Sequence, residues 1–80
     1  MNRTEQVINV LKELTDVSVI TEEATLAKDL ALDSLAMVTL LLDIEDNFEI
    51  ELRESDMDPF KLKTVSDVIK LVERYYRGSI

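Results

Sequence analysis

Eighty residues provide material for one small core, because a chain of this length buries only about 60% of the surface its unfolded form exposes. Apolar residues make up 46% and charged residues 32%, and nine Lys and Arg against seventeen Asp and Glu leave a net charge of −8. This is the composition of a folded chain that repels nucleic-acid phosphates and anionic membranes and suits basic partners. With no Cys there is no disulfide, thiolate nucleophile or Cys-based zinc site, and with no His the usual general base and metal ligand are missing. The single glycine, Gly78, excludes a glycine-rich phosphate loop. Apolar runs stop at about four residues, as in Leu35-Ala36-Met37-Val38, too short to span a membrane. The start, Met1-Asn2-Arg3-Thr4-Glu5, lacks the apolar core of a secretory signal. A cytoplasmic, monomeric binding or carrying module is expected rather than a self-contained enzyme.

The first element is an amphipathic helix over residues 5–13, with Val7, Ile8, Leu11 and Leu14 on one stripe and Thr4 as its expected N-cap. Residues 15–28 follow as a long connection, because Val17, Val19 and Ile20 are β-branched and sustain a helix poorly. One helical turn is expected there, near residues 22–27. Such a length of irregular chain is unusual in a compact domain and marks either function or hidden order.

The second helix is the best-defined element. Asp33 caps it, and residues 34–47 run without Gly or Pro. At 100° per residue, Met37, Leu40, Leu41, Ile44 and Phe48 share a face that belongs to the core. Leu35, Val38 and Leu42 fall on another side, and part of that stripe is expected to be exposed. Next, Phe48-Glu49-Ile50-Glu51-Leu52 alternates like a strand, but with no partner strand it reads as an extended connector. The only proline, Pro59, places a turn or short helical turn over residues 56–60. The last helix begins at Thr64, with Asp67 three residues on completing a capping box and Val65, Val68, Ile69, Val72 and Tyr76 facing inward. Tyr75 and Tyr76 combine packing with a polar tip, and Met37 is a core filler. The fold expected is all-α, a small four-helix bundle of three main helices and one short helix or turn.

Among the serines, Ser34 stands apart because it occupies the first turn of the strongest helix, between Asp33 and Leu35. A helix start carries unpaired amides and about half a positive charge, so a phosphodiester on Ser34 suits the place. From Asp-Ser-Leu alone, a short and common tripeptide, Ser34 reads rather as an ordinary first-turn residue.

The longer stretch Leu26-Ala27-Lys28-Asp29-Leu30-Ala31-Leu32-Asp33-Ser34-Leu35 resembles the modification site of acyl carrier proteins and related carrier domains. The resemblance continues through Ile44-Glu45-Asp46-Asn47-Phe48-Glu49-Ile50 and Thr64-Val65-Ser66-Asp67-Val68, and covers residues 5–76. It implies a single carrier domain over residues 1–80, with its core at about residues 5–76. It further implies that Ser34, beside Asp33, is esterified by 4′-phosphopantetheine, which a separate phosphopantetheinyl transferase takes from coenzyme A. The thiol at the end of that arm holds acyl or related groups as thioesters for biosynthetic enzymes, so the chain itself needs neither Cys nor His. Two positions depart from the family. Ala31 stands where glycine is common, which the loop tolerates if its backbone there is not left-handed. Ala36 and Thr39 stand where fatty-acid carriers often have acidic residues, so a specialised pathway is as compatible as fatty-acid synthesis.

Eight of the seventeen acidic residues fall between Asp43 and Asp58. They serve either as a solvated face or as a docking surface that steers basic enzymes toward the carrier. Asp43, Glu45 and Asp46, together with Leu35 and Val38, are the candidate docking residues. Nothing in the stretch matches a calcium loop with its glycine at the sixth position, so no dedicated metal site is expected. The competing reading of the whole chain is an acidic helical adaptor that stays unmodified and binds a basic partner. A hydrolase built on Ser34 has no evident base.

Overall fold

The computed structural model describes residues 2–78. Three α-helices, α1 (Arg3–Leu14), α2 (Ser34–Phe48) and α3 (Val65–Gly78), are joined by long connections. Two 3₁₀ turns, Glu54–Asp56 and Pro59–Lys61, interrupt the second of these. Among the described residues there is no strand, only one isolated antiparallel bridge between Thr25 and Thr64.

Helix α1 begins two residues earlier than the sequence suggests. Asn2, not Thr4, is its N-cap: the Asn2 side-chain oxygen accepts from the Glu5 amide at 2.8 Å. Asn is the stronger capping residue, and its extended backbone stops the helix there. The apolar stripe is unaffected, and Val7, Val10 and Leu11 are buried while Ile8 and Leu14 pack at its margin.

Helix α2 is capped as expected, with Asp33 Oδ1 accepting from the Ala36 amide at 2.8 Å. The helix runs one residue further than predicted and closes at Glu49, whose backbone is left-handed (φ 53°, ψ 45°) and whose amide bonds the Glu45 carbonyl. Met37, Leu40, Leu41, Ile44 and Phe48 are all buried, as the 100° spacing requires. Helix α3 opens with a reciprocal box. Thr64 Oγ1 accepts from the Asp67 amide at 3.2 Å, and Asp67 Oδ2 accepts from the Lys63 and Thr64 amides at 2.9 and 3.1 Å. The bonds from Lys63 and then Thr64 hold the Asp67 carboxyl below its ordinary range. The stability this adds is therefore present above the usual carboxylate pKa and is lost as pH falls through the lowered value.

Val7, Val10, Leu11, Leu40, Ile44, Val65, Val68 and Val72 form the centre of the main core, all at 0–4% exposure. Fully burying an aliphatic side chain of this kind is worth about 1.5–3 kcal/mol, so this cluster dominates the favourable side of folding. A second, smaller cluster joins Leu41 to Leu52 and Leu71. Tyr76 completes the α3 face by donating to the Phe48 carbonyl at 2.8 Å, its ring edge-on to Phe48 at 6.2 Å. The Tyr75 hydroxyl donates to Asp56 Oδ2 at 2.5 Å and accepts from the Arg53 amide at 2.7 Å, with burial foremost in pushing the phenol's pKa up.

The connection over residues 15–33 lies against α3. Leu26 N bonds Lys63 O at 2.9 Å, Val65 N bonds Ala24 O at 3.0 Å, and Ser66 N bonds Glu22 O at 2.9 Å. The expected turn near residues 22–27 divides into two, one closed by the Ala24 amide on the Thr21 carbonyl at 3.2 Å and one at residues 25–30, where Asp29 and Leu30 both donate to the Thr25 carbonyl. Asp29 and Thr25 side chains reinforce it reciprocally. Ile20, Leu26, Leu30 and Leu32 are buried beneath. Ala31, however, is left-handed at φ 55°. This is the conformation that makes the loss of glycine costly, by about 1–2 kcal/mol for a residue with a Cβ. After the larger unfolded-state entropy of glycine is set against that, Ala31→Gly is expected to stabilise the fold by about 0.5–1 kcal/mol, a Tm gain of a few degrees in a thermal melt. An unchanged or lowered Tm would show that the Cβ is not strained.

Candidate functional site

Ser34 is the first residue of α2 and is exposed. Asp33 places it there, because the carboxylate bonded to the Ala36 amide fixes where the helix starts. The Asp33 carbonyl accepts from Met37 at 2.9 Å. The amides of Ser34 and Leu35 and the Ser34 hydroxyl have no hydrogen-bond partner among the described residues. No acidic residue lies within the first turn itself. A free hydroxyl, two free amides and the positive end of a 15-residue helix meet the needs of a covalently held phosphate.

Beside Ser34 lies a cleft of about 510 Å³ between the 25–28 turn, the start of α2 and the segment 60–63. Leu26, Leu32 and Met37 form its floor, Leu62 and Phe60 one wall, and Lys28 and Lys63 also line it. Phe60 is 80% exposed. The sequence reading missed this residue. Its signal was a lone aromatic directly after Pro59 in a polar turn, but only the fold brings that turn next to Ser34.

The second stripe of α2 faces outward, with Leu35, Val38 and Leu42 at 76%, 42% and 51% exposure. Thr39 bonds back to the Leu35 carbonyl at 3.0 Å, and Ala36 packs against the core. Of the acidic candidates, Asp46 is exposed and Asp43 half-buried on the same helix. Glu45 has a structural task as well, since its Oε2 accepts from the Leu52 amide at 2.8 Å and ties the following connector to the helix.

Between Asp43 and Asp58 only Asp56 has an ion pair among the described residues, with Arg74 at 2.7 Å. Folding therefore gathers like charges with little compensation. Added salt or millimolar magnesium is expected to raise Tm by a few degrees through screening and diffuse binding, read in a melt against ionic strength. A Tm indifferent to both would show that this segment carries no electrostatic strain. No group of three or more candidate metal ligands occurs among the described residues, and no helix among them is long and apolar enough to cross a membrane.

The site is thus an unengaged serine at a helix start beside a cleft with an apolar floor. Comparison with known proteins places the chain in a family. Residues 5–72 match the family described as "Phosphopantetheine attachment site". The chain is 39% identical over 59 residues to the acyl carrier protein of Thermotoga maritima, covering 74% of this chain and 70% of that one. It is 41% identical over 58 residues to that of an Exiguobacterium species, covering 72% and 71%. To that of Brachyspira hyodysenteriae it is 36% identical over 62 residues, covering 78% and 77%. The chain belongs to the phosphopantetheine-attachment family of acyl carrier proteins. Its members are carriers, not catalysts, and this domain is where a 4′-phosphopantetheine group is covalently attached.

Proposed function

We propose that Ser34 is the attachment residue and that residues 1–80 form a single carrier domain, with its core at about residues 5–76. What supports this is the free Ser34 hydroxyl next to two free first-turn amides. When attached, the arm supplies a thiol that holds acyl or related groups as thioesters. The protein's part is to present Oγ, stabilise the phosphate and offer a docking face. Among the described residues no side chain accepts a hydrogen bond from the Ser34 hydroxyl, and the Asp33 carboxylate beside it in the chain holds the Ala36 amide. The proton leaving Ser34 is therefore taken by the phosphopantetheinyl transferase, not by this chain.

Leu35 and Val38 meet partner enzymes beside the arm, and Asp43, Glu45 and Asp46 attract their basic patches. With no acid in the first turn of α2, that attraction is centred farther along the helix. The two 3₁₀ turns stand for the short fourth helix of the bundle. At a net charge of −8 the chain works as a cytoplasmic monomer, because copies repel one another.

The test is the intact mass after incubation with coenzyme A and a broad-specificity phosphopantetheinyl transferase. The expected result is a single phosphopantetheine added to wild type and none to Ser34→Ala, with far-UV helicity unchanged because Asp33 still caps α2. Asp33→Ala instead costs about 0.5–2 kcal/mol of stability. A mass gain that survives in Ser34→Ala, or no gain in wild type, overturns the assignment.

A further inference from the structure

We propose that the cleft beside Ser34 is a docking groove for the arm itself, with Lys28 and Lys63 attracting its phosphodiester and Phe60 closing over its adjoining gem-dimethyl segment. This rests on Ser34 being the attachment residue.

The first two chemical units beyond a serine oxygen in 4′-phosphopantetheine are a singly charged phosphodiester and a branched apolar carbon. The cleft offers the same two chemistries in the same place. Lys28 and Lys63 line it, and among the described residues their ammonium groups form neither ion pair nor hydrogen bond. The opposing charge in the lining is Asp33, whose carboxylate is turned to the Ala36 amide. In a chain of net charge −8, two uncommitted cations in the lining of one cleft favour an anion there. The apolar side is equally uncommitted. Phe60 is 80% exposed and borders Leu62 and Met37 across open space of about 510 Å³. That is within the range of small-ligand clefts, and Phe60 extends the apolar lining that Leu26, Leu32, Met37 and Leu62 begin.

The groove also exists before any arm arrives. Its walls are tied by the Leu26–Lys63 and Val65–Ala24 backbone bonds and by the Thr25–Thr64 bridge. The turn carrying Phe60 is braced by the Phe60 amide on Asp58 Oδ1 at 2.9 Å. An arm laid in this groove starts from a preformed surface and loses less on ordering. The resting carrier then keeps the first part of its arm against the protein, and a partner competes with Phe60 for it.

The experiment compares apo and holo forms, the holo form being made with coenzyme A and confirmed by mass, using amide spectra, ³¹P spectra and NOEs. In wild-type holo protein we expect NOEs between the gem-dimethyl protons and the Phe60 ring, with amide shifts at residues 26–28 and 60–63. Phe60→Ala should lose those NOEs and most of the shifts while taking up the arm in full. The double variant Lys28→Gln/Lys63→Gln should move the ³¹P resonance toward that of the same phosphodiester in denatured holo protein, an effect that salt reproduces in wild type. A holo protein of correct mass whose amide shifts are confined to Ser34 and its immediate neighbours, with no Phe60 NOE, overturns the groove and leaves the attachment residue standing. Shifts that survive in both variants overturn it as well. Absence of any mass gain overturns the attachment reading first, and the groove with it.

Discussion

Met37→Asp is expected to unfold the domain, whereas Val38→Asp, one residue further along the same helix, leaves it folded and impairs its loading. The two side chains point to different worlds, with Met37 7% exposed in the main core and Val38 42% exposed on the outer stripe. A carboxylate at residue 37 must either ionise without a partner or bind a proton, and each costs several kcal/mol. Small domains have about 5 kcal/mol or somewhat more to lose. At residue 38 the carboxylate stays in water, so stability changes by only about 0.5 kcal/mol. It does place a charge on the face proposed to meet partner enzymes, where an apolar contact would carry much of the interface's energy. Far-UV dichroism and melting separate the first effect, and the rate of arm transfer from coenzyme A reads the second. Equal destabilisation by the two substitutions would mean that the outer stripe is core.

That contrast was legible before any coordinates, because helical periodicity alone divides α2 into its two stripes. The α3 capping box and the Asp33 cap were legible for a similar reason, since a cap is a local hydrogen bond between residues three apart. Other features depended on longer range or on backbone angles. Asn2 is the stronger capping residue than Thr4, but that it takes the cap depends on the chain being extended at residue 2. The left-handed backbone at Ala31 cannot be seen in an alanine, although the family's preference for glycine there named the condition under which it would matter. Phe60 and Lys63 reach Ser34 through the pairing of residues 24–26 with 63–65, a contact between distant segments that no local pattern encodes. Leu71 lies aside from the main stripe of α3, toward a cluster whose existence depends on where the connector after α2 runs.

That cluster is the basis of the second large expected effect. Leu41 is fully buried against Leu52 and Leu71, with Ile50, Met57, Leu62 and Tyr75 packed at its edge. Leu41→Ala removes the central member and leaves a cavity, which costs about 2–5 kcal/mol depending on how far the site collapses. The cost should be spatially selective. The connector is otherwise held by the Glu45 carboxylate on the Leu52 amide, by Tyr75 bridging the Arg53 amide to Asp56, and by the Arg74–Asp56 ion pair, all at a partly exposed surface where solvent screens them. Loss of Leu41 therefore frees residues 50–57 before it frees α1 and α3, and Leu62, which touches both clusters, transmits the loosening to the wall that carries Phe60. Hydrogen exchange should show the Leu52 and Arg53 amides exchanging through a local opening in Leu41→Ala, while Val10 and Val72 still exchange only with global unfolding. Leu40→Ala, in the main core of the same helix, should cost a similar amount but lower the protection of all four amides together. If Leu41→Ala also lowers them together, the connector is part of one cooperative unit and the second cluster has no separate role in shaping the cleft.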